Sequence, residues 1–189
     1  MVFEDYQTKA SVVVVYTGEG KGKTSAAVGL MARALGSGWR VAFVQFIKHW
    51  DVGEHNFITK IKPLYGRQLL FYKGGKGFYN AAALSAKGVT AAQHKAAARQ
   101  TFEIATKAAS SGKYDLVVCD EINNAAHAGL LKKNSLKKLI TSRSAKTSLC
   151  LTGRDFPKDH LPLVDIATNM TKLRHHFDDK YLANKGIDF

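Results

Sequence analysis

Val12-Val13-Val14-Val15-Tyr16-Thr17-Gly18-Glu19-Gly20-Lys21-Gly22-Lys23-Thr24-Ser25 is the stretch that decides the fold of this chain. Four β-branched residues in a row, Val12 to Val15, make a buried strand. Glycines at 18, 20 and 22 let the backbone turn so that consecutive N–H groups converge on an anion. From Ser25 the run Ala26 to Leu35 opens a helix, whose N-terminus adds unsatisfied donors and a positive dipole end. Strand, loop and helix together are the context that a phosphate-binding loop requires. Lys23 brings a point charge to the phosphates, and the Thr24 hydroxyl is a ligand for Mg²⁺. Thr17 replaces the first glycine of G-x-x-x-x-G-K-[ST], with Gly18 one step later. The expected nucleotide contacts are Thr17, Gly18, Glu19, Gly20, Lys21, Gly22, Lys23, Thr24 and Ser25.

Outward from this loop, strands and helices alternate. Trp39 to Phe46 reads as a second strand, Gln68 to Tyr72 as a third and Tyr114 to Cys119 as a fourth. Thr147 to Leu151 and Leu163 to Thr168 read as the fifth and sixth. An alanine-rich helix is expected from about Thr90 to Ser110. A lysine-rich helix is expected over roughly 128–142, with Leu130, Leu131, Leu136, Leu139 and Ile140 as its buried stripe. Lys73 to Asn80 is too rich in glycine for regular structure and reads as a mobile loop. The alternation predicts an α/β fold of the P-loop NTPase (RecA-like) kind: three layers, α/β/α, around a mostly parallel central sheet. With no linker or repeat, residues 1–189 read as a single nucleotide-binding domain.

Ligands of such sheets collect at the carboxyl ends of strands. Besides the phosphate loop, three polar clusters follow strands there. Asp120 and Glu121 are candidates to hold Mg²⁺ beside Thr24. Gln45 and Lys48 are placed to touch phosphate or ribose. Arg154 is placed to reach a phosphate oxygen with its forked donors. His175 and His176, adjacent on an extended segment, face opposite ways and make a poor chelating pair. The sequence contains no evident Ser-His-Asp arrangement and no cysteine nucleophile with a nearby histidine.

The chain has 189 residues, 46% of them hydrophobic and 23% charged, which suits one soluble domain. No apolar run approaches the length that spans a bilayer. The start, Met1 to Tyr6, carries acids and lacks a leader pattern, so a cytoplasmic location is expected. Cys119 and Cys150 sit in apolar, strand-like runs and read as reduced core thiols; their number and spacing exclude a zinc site. The formal net charge is +13. Its lysines are spread along the chain rather than gathered on one element, which argues against a specific nucleic-acid partner. Solvated faces, and a field that attracts polyanionic small molecules, account for the charge.

Up to this point a Mg²⁺-nucleotide protein is indicated, with ATPase, kinase and nucleotidyl-type transfer all open. Thr17 to Ser25 resembles the phosphate loop of the P-loop ATP:corrinoid adenosyltransferases, T-G-x-G-K-G-K-T-[TS], in which the missing first glycine is a family trait. Val44-Gln45-Phe46-Ile47-Lys48 resembles that family's V-Q-F-I-K strand end, and Gly53-Glu54 its following G-E. Val117 to Ile122 resembles its apolar-D-E segment, and Thr152-Gly153-Arg154 its T-G-R. Asp165 with Thr168, and His175 to Phe189, resemble its closing stretches. Departures are Asn80 in place of a tryptophan, Asn169 of a glutamate, Arg174 of a lysine, Lys180 of a glycine and Asn184 of a glutamine.

The resemblance implies transfer of the 5′-deoxyadenosyl group of ATP to a reduced corrinoid, cob(I)alamin or a precursor, with release of triphosphate. It implies Lys23, Thr24 and Glu121 as charge-neutralising residues, with Mg²⁺ on Thr24, Glu121 and Asp120. It implies Phe78, and with it Tyr79, as the apolar group that displaces the axial ligand of Co(II). An external reductant, a flavoprotein, and a homodimer are implied as well. A P-loop kinase and a basic nucleic-acid-dependent ATPase stand as the alternatives.

Overall fold

The computed structural model describes residues 5–80 and 86–189. The reading of the leader region at residues 1–4 lies outside the described residues. The elements, in order, are β1 (Val13–Thr17), α1 (Lys23–Gly36), β2 (Val41–Gln45), α2 (Gly53–Tyr65) and β3 (Leu69–Lys73). Then follow α3 (Ala91–Ser110), β4 (Leu116–Asp120), α4 (Ile122–His127), α5 (Ser135–Ser142), β5 (Ser148–Thr152) and β6 (Ile166–Asn169). The strands form one six-stranded sheet in the order β3-β2-β4-β5-β1-β6, with every pair parallel. β5 thus separates the phosphate-loop strand from the acidic strand β4, the RecA-like arrangement.

The strands read as unbroken apolar runs because both faces are buried. In β4, Val117 and Cys119 enter one core while Leu116 and Val118 enter the other. β2 divides likewise, Ala42 and Val44 against Val41 and Phe43. On one face α1 contributes Ala27, Met31, Ala34 and Leu35, and α2 contributes Ile58. On the other, α3 brings Ala98, Ala105, Ala108 and Ala109, joined by Leu136, Leu139 and Ile140 of α5. Thr90 caps α3 in a reciprocal box with Gln93. Cys119 and Cys150 are free and buried, and burial pushes both thiols well above their ordinary range.

Two readings need correction. The sequence reading assigned no element to 53–65, which α2 occupies. This helix buries fully only His55 and Ile58 and contains Pro63, so its periodic signal is weak. The helix expected over 128–142 begins only at Ser135, since left-handed Gly129 and Asn134 break the stretch before it. Leu130 still reaches the core, from a turn.

The glycines of the loop at 73–80 serve close approach. A Cβ at Gly74 would lie 1.9 Å from Oγ1 of Thr101, and one at Gly75 2.2 Å from the Ile47 carbonyl.

Candidate active site

The phosphate loop is shaped from both sides. Gly18 and Gly22 hold positive φ, 95° and 103°. The Gly20 N–H donates to the Met170 carbonyl at 2.6 Å, and the Met170 N–H donates to Thr17 O at 2.8 Å, so the exit of β6 straps the loop. A Cβ at Gly20 would fall 2.6 Å from Met170 O, which leaves glycine as the residue that fits. Lys23 folds back over this turn. Its ammonium donates to the carbonyls of Gly18 (2.6 Å) and Gly20 (2.5 Å). Burial, then the Arg154 guanidinium, holds its pKa below the ordinary lysine range.

Asp120 ends β4 fully buried and ties the neighbouring elements together. Its Oδ2 accepts from Gln45 Nε2 (2.6 Å) and Thr24 Oγ1 (3.1 Å), and its Oδ1 accepts from Thr152 Oγ1 (2.6 Å). Glu121 follows with a left-handed backbone, and its N–H donates to the Thr152 hydroxyl at 2.9 Å. Its Oε2 is buried with no hydrogen-bond partner among the described residues. Burial, then the Asp120 charge, pushes the Glu121 carboxyl up to about 7, against the opposing pull of Lys48. Lys48 Nζ lies 2.6 Å from Glu54 Oε1 and 3.8 Å from Glu121 Oε1, and donates to Thr24 Oγ1 at 3.3 Å. Burial works to lower the Lys48 pKa, but the Asp120, Glu121 and Glu54 carboxylates prevail and raise it. Burial likewise opposes ionisation of Glu54, and the Lys48 hydrogen bond overcomes it, lowering that pKa.

These groups surround a cavity of about 490 Å³. Lys21 to Ser25, Lys48, Glu54 and Glu121 form most of its polar lining; Val28, Gly53, Phe57 and residues 186–189 complete it. Lys21 pairs with Asp188 at 2.9 Å, which holds the latter segment against the loop.

Not every expected contact lines this cavity. Gln45 is buried behind it, donating to Asp120 and accepting from the N–H groups of Ile47 (2.9 Å) and Lys48 (3.3 Å). It positions the acidic strand end instead of reaching phosphate or ribose. Arg154 meets Glu19 at 3.1 Å at the outer lip of the loop, and Thr17 Oγ1 accepts from the Phe156 N–H. His175 and His176 do not face opposite ways: a turn starting at His176 brings their ring centroids to 4.7 Å. Glu54 and Thr152 entered the sequence reading only as members of the G-E and T-G-R strings, without a role at the site, and Phe57 did not enter it.

Beside the cavity the loop after β3 is tied to the loop after β2. Gly74 N–H donates to Gln45 O (3.0 Å), Gly77 N–H to Ile47 O (2.8 Å) and Lys73 Nζ to Trp50 O (3.1 Å). This lays Phe78 on Trp50, ring centroids 5.1 Å apart, while Tyr79 packs on His94. A tryptophan from another loop therefore stands beside Phe78, although position 80 is asparagine.

Among the described residues no three His, Cys, Asp or Glu side chains gather as a metal site. Magnesium in nucleotide sites takes only one or two protein groups and completes its shell from phosphates and water. The unpartnered Glu121 oxygen, in a cavity that Thr24 also lines, suits that demand.

The family model described as ATP:corrinoid adenosyltransferase BtuR/CobO/CobP matches residues 9–189. A corrinoid adenosyltransferase of Pseudomonas aeruginosa is 31% identical over 179 residues, 94% of this chain and 83% of that one. Those of Escherichia coli K12 and Salmonella typhimurium are each 29% identical over 184 residues, 97% of this chain and 88% of theirs.

Proposed function

The chain belongs to the ATP:corrinoid adenosyltransferase family, and from that premise we propose how its cavity works. The enzyme transfers the 5′-deoxyadenosyl group of ATP to the cobalt of a reduced corrinoid. The electron pair of Co(I) forms a bond to C5′ and the C5′–O bond breaks. That bonding pair leaves with triphosphate, and the cobalt becomes Co(III). Because the cobalt is itself the nucleophile, the protein needs neither a nucleophilic side chain nor a general base. Its tasks are to align C5′ with the cobalt and to neutralise the leaving triphosphate.

The observation that carries this reading is the gathering of Lys23, Thr24, Lys48 and Glu121 around one cavity under the phosphate loop. Lys23 exchanges the carbonyls of Gly18 and Gly20 for phosphate oxygens. Thr24 and Glu121 would hold Mg²⁺, with Asp120 fixing the Thr24 hydroxyl from behind; the ion would supply positive charge to the triphosphate. Arg154 and Glu19 bound the loop's outer side.

Phe78, backed by Trp50, presents an apolar wall to the corrin face, and Tyr79 packs beside it. There it displaces the axial ligand of Co(II) and leaves a more reducible cobalt. A flavoprotein supplies the electron from outside. The enzyme works in the cytoplasm as a homodimer and has no specific nucleic-acid partner. Among the described residues no helix is long and apolar enough to cross a membrane.

Incubation with ATP, Mg²⁺ and chemically reduced cobalamin tests the reading. A cobalt–carbon absorption spectrum with stoichiometric triphosphate supports it. Release of ADP instead would return the kinase or the ATPase.

A further inference from the structure

The cavity under the phosphate loop carries an apolar lining that the triphosphate does not use. Val28 lies one turn along α1 from Thr24, and Phe57 one turn along α2 from Gly53, so each shares a helix face with a residue at the site. The apolar lining thus continues the helix faces that carry Thr24 and Gly53. Ile187 and Phe189 join it from the segment that Lys21 and Asp188 hold together. That segment is closed on itself: Gly186 N–H donates to Phe189 O at 2.8 Å and Asn184 N–H to Asp188 Oδ2 at 2.7 Å. Its backbone at Phe189 passes 3.6 Å from where a Gly53 Cβ would be. Phe57 is 44% exposed and Phe189 40%, so neither ring is kept for the core.

Building on the reading of this cavity as the ATP site, we propose that Phe57 and Phe189, flanked by Val28 and Ile187, hold the adenine ring. With the phosphates fixed by loop amides and Lys23, the base is the part of ATP that gains from a flat apolar shelf. Two aromatic rings provide stacking surface, and aromatic stacking is worth enough to set affinity. The pin between Lys21 and Asp188 couples the two ends of the ligand, because Lys21 belongs to the phosphate loop and Asp188 to the shelf.

Equilibrium binding to the full chain, with Mg²⁺ present, is measured for ATP and for inorganic triphosphate. Phe57→Ala and Phe189→Ala weaken ATP by about tenfold or more each, as expected for a lost stacking partner, and leave triphosphate unchanged. Phe57→Trp retains ATP affinity. Equal weakening of ATP and triphosphate, or no effect on ATP, overturns the assignment. Weakened corrinoid binding with ATP intact also overturns it and gives the shelf to the other substrate. Failure of the phosphate-loop reading would look different: Lys23→Ala would then leave triphosphate binding undiminished.

Discussion

Glu121 joins a left-handed backbone, φ 61°, to a buried carboxylate held up to about 7 by burial and by Asp120. Its ordinary value is 4.5, so across that interval the folded protein binds a proton that the unfolded chain has released. This residue's contribution to stability is therefore fully present below about 4.5 and is lost as pH rises to about 7. Glu121→Gln, with nucleotide and metal absent, should be more stable than wild type at pH 8 and lose that advantage at pH 4.5. Urea unfolding at the two pH values measures it; equal advantage at both would mean the carboxyl is not perturbed. Lys23→Ala should lower turnover by about 100-fold or more, the scale of losing one aimed charge donor at a reacting site, in an assay with pre-formed Co(I). Lys23 and Thr24 were legible as candidates because strand, glycines and charge follow each other within a few residues, and Asp120 and Glu121 because two acids directly follow an apolar strand. The role of Gln45 was not. Full burial between Asp120 and the turn at Ile47 depends on strands β2 and β4 lying side by side, which no local pattern records.

The loop after β3 shows how an element can be read correctly and explained wrongly. Its glycines were read as mobility, whereas the backbone of Gly75 runs against Ile47 so tightly that a methyl group has no place. Gly75→Ala should destabilise the fold by about 1–3 kcal/mol through overpacking and slow the Co(II)-dependent route more than reaction with pre-formed Co(I). Phe78→Ala should give the same kinetic split. Equal loss in both assays would reject a role for the loop in cobalt reduction. The other misread elements have local causes. α2 buries few side chains, and left-handed residues interrupt the 128–142 stretch where its composition promised a continuous helix. Helix α3 was legible to within a residue from its alanine content and the glycine at 112, and the Thr90–Gln93 box fixes its start.

At the scale of the molecule, the α/β class and one rim of ligand-bearing strand ends followed from alternating apolar runs and helices. Strand order did not, because it depends on which way each crossover turns. The insertion of β5 between β1 and β4 also brings Thr152 to Asp120 and Glu121. The net charge of +13 is a whole-molecule property too. If it draws in an acidic flavoprotein, turnover driven by that donor should fall by about tenfold or more between low and high salt. Turnover with chemically reduced cobalamin should change little; parallel decline in both assays would detach the charge from electron delivery. Finally, the ammonium of Lys48 lodged among Thr24, Glu54 and Glu121 acts as a built-in counterion. A triphosphate entering the cavity would compete with Glu54 and Glu121 for that ammonium, so nucleotide binding is expected to release the two carboxylates from it.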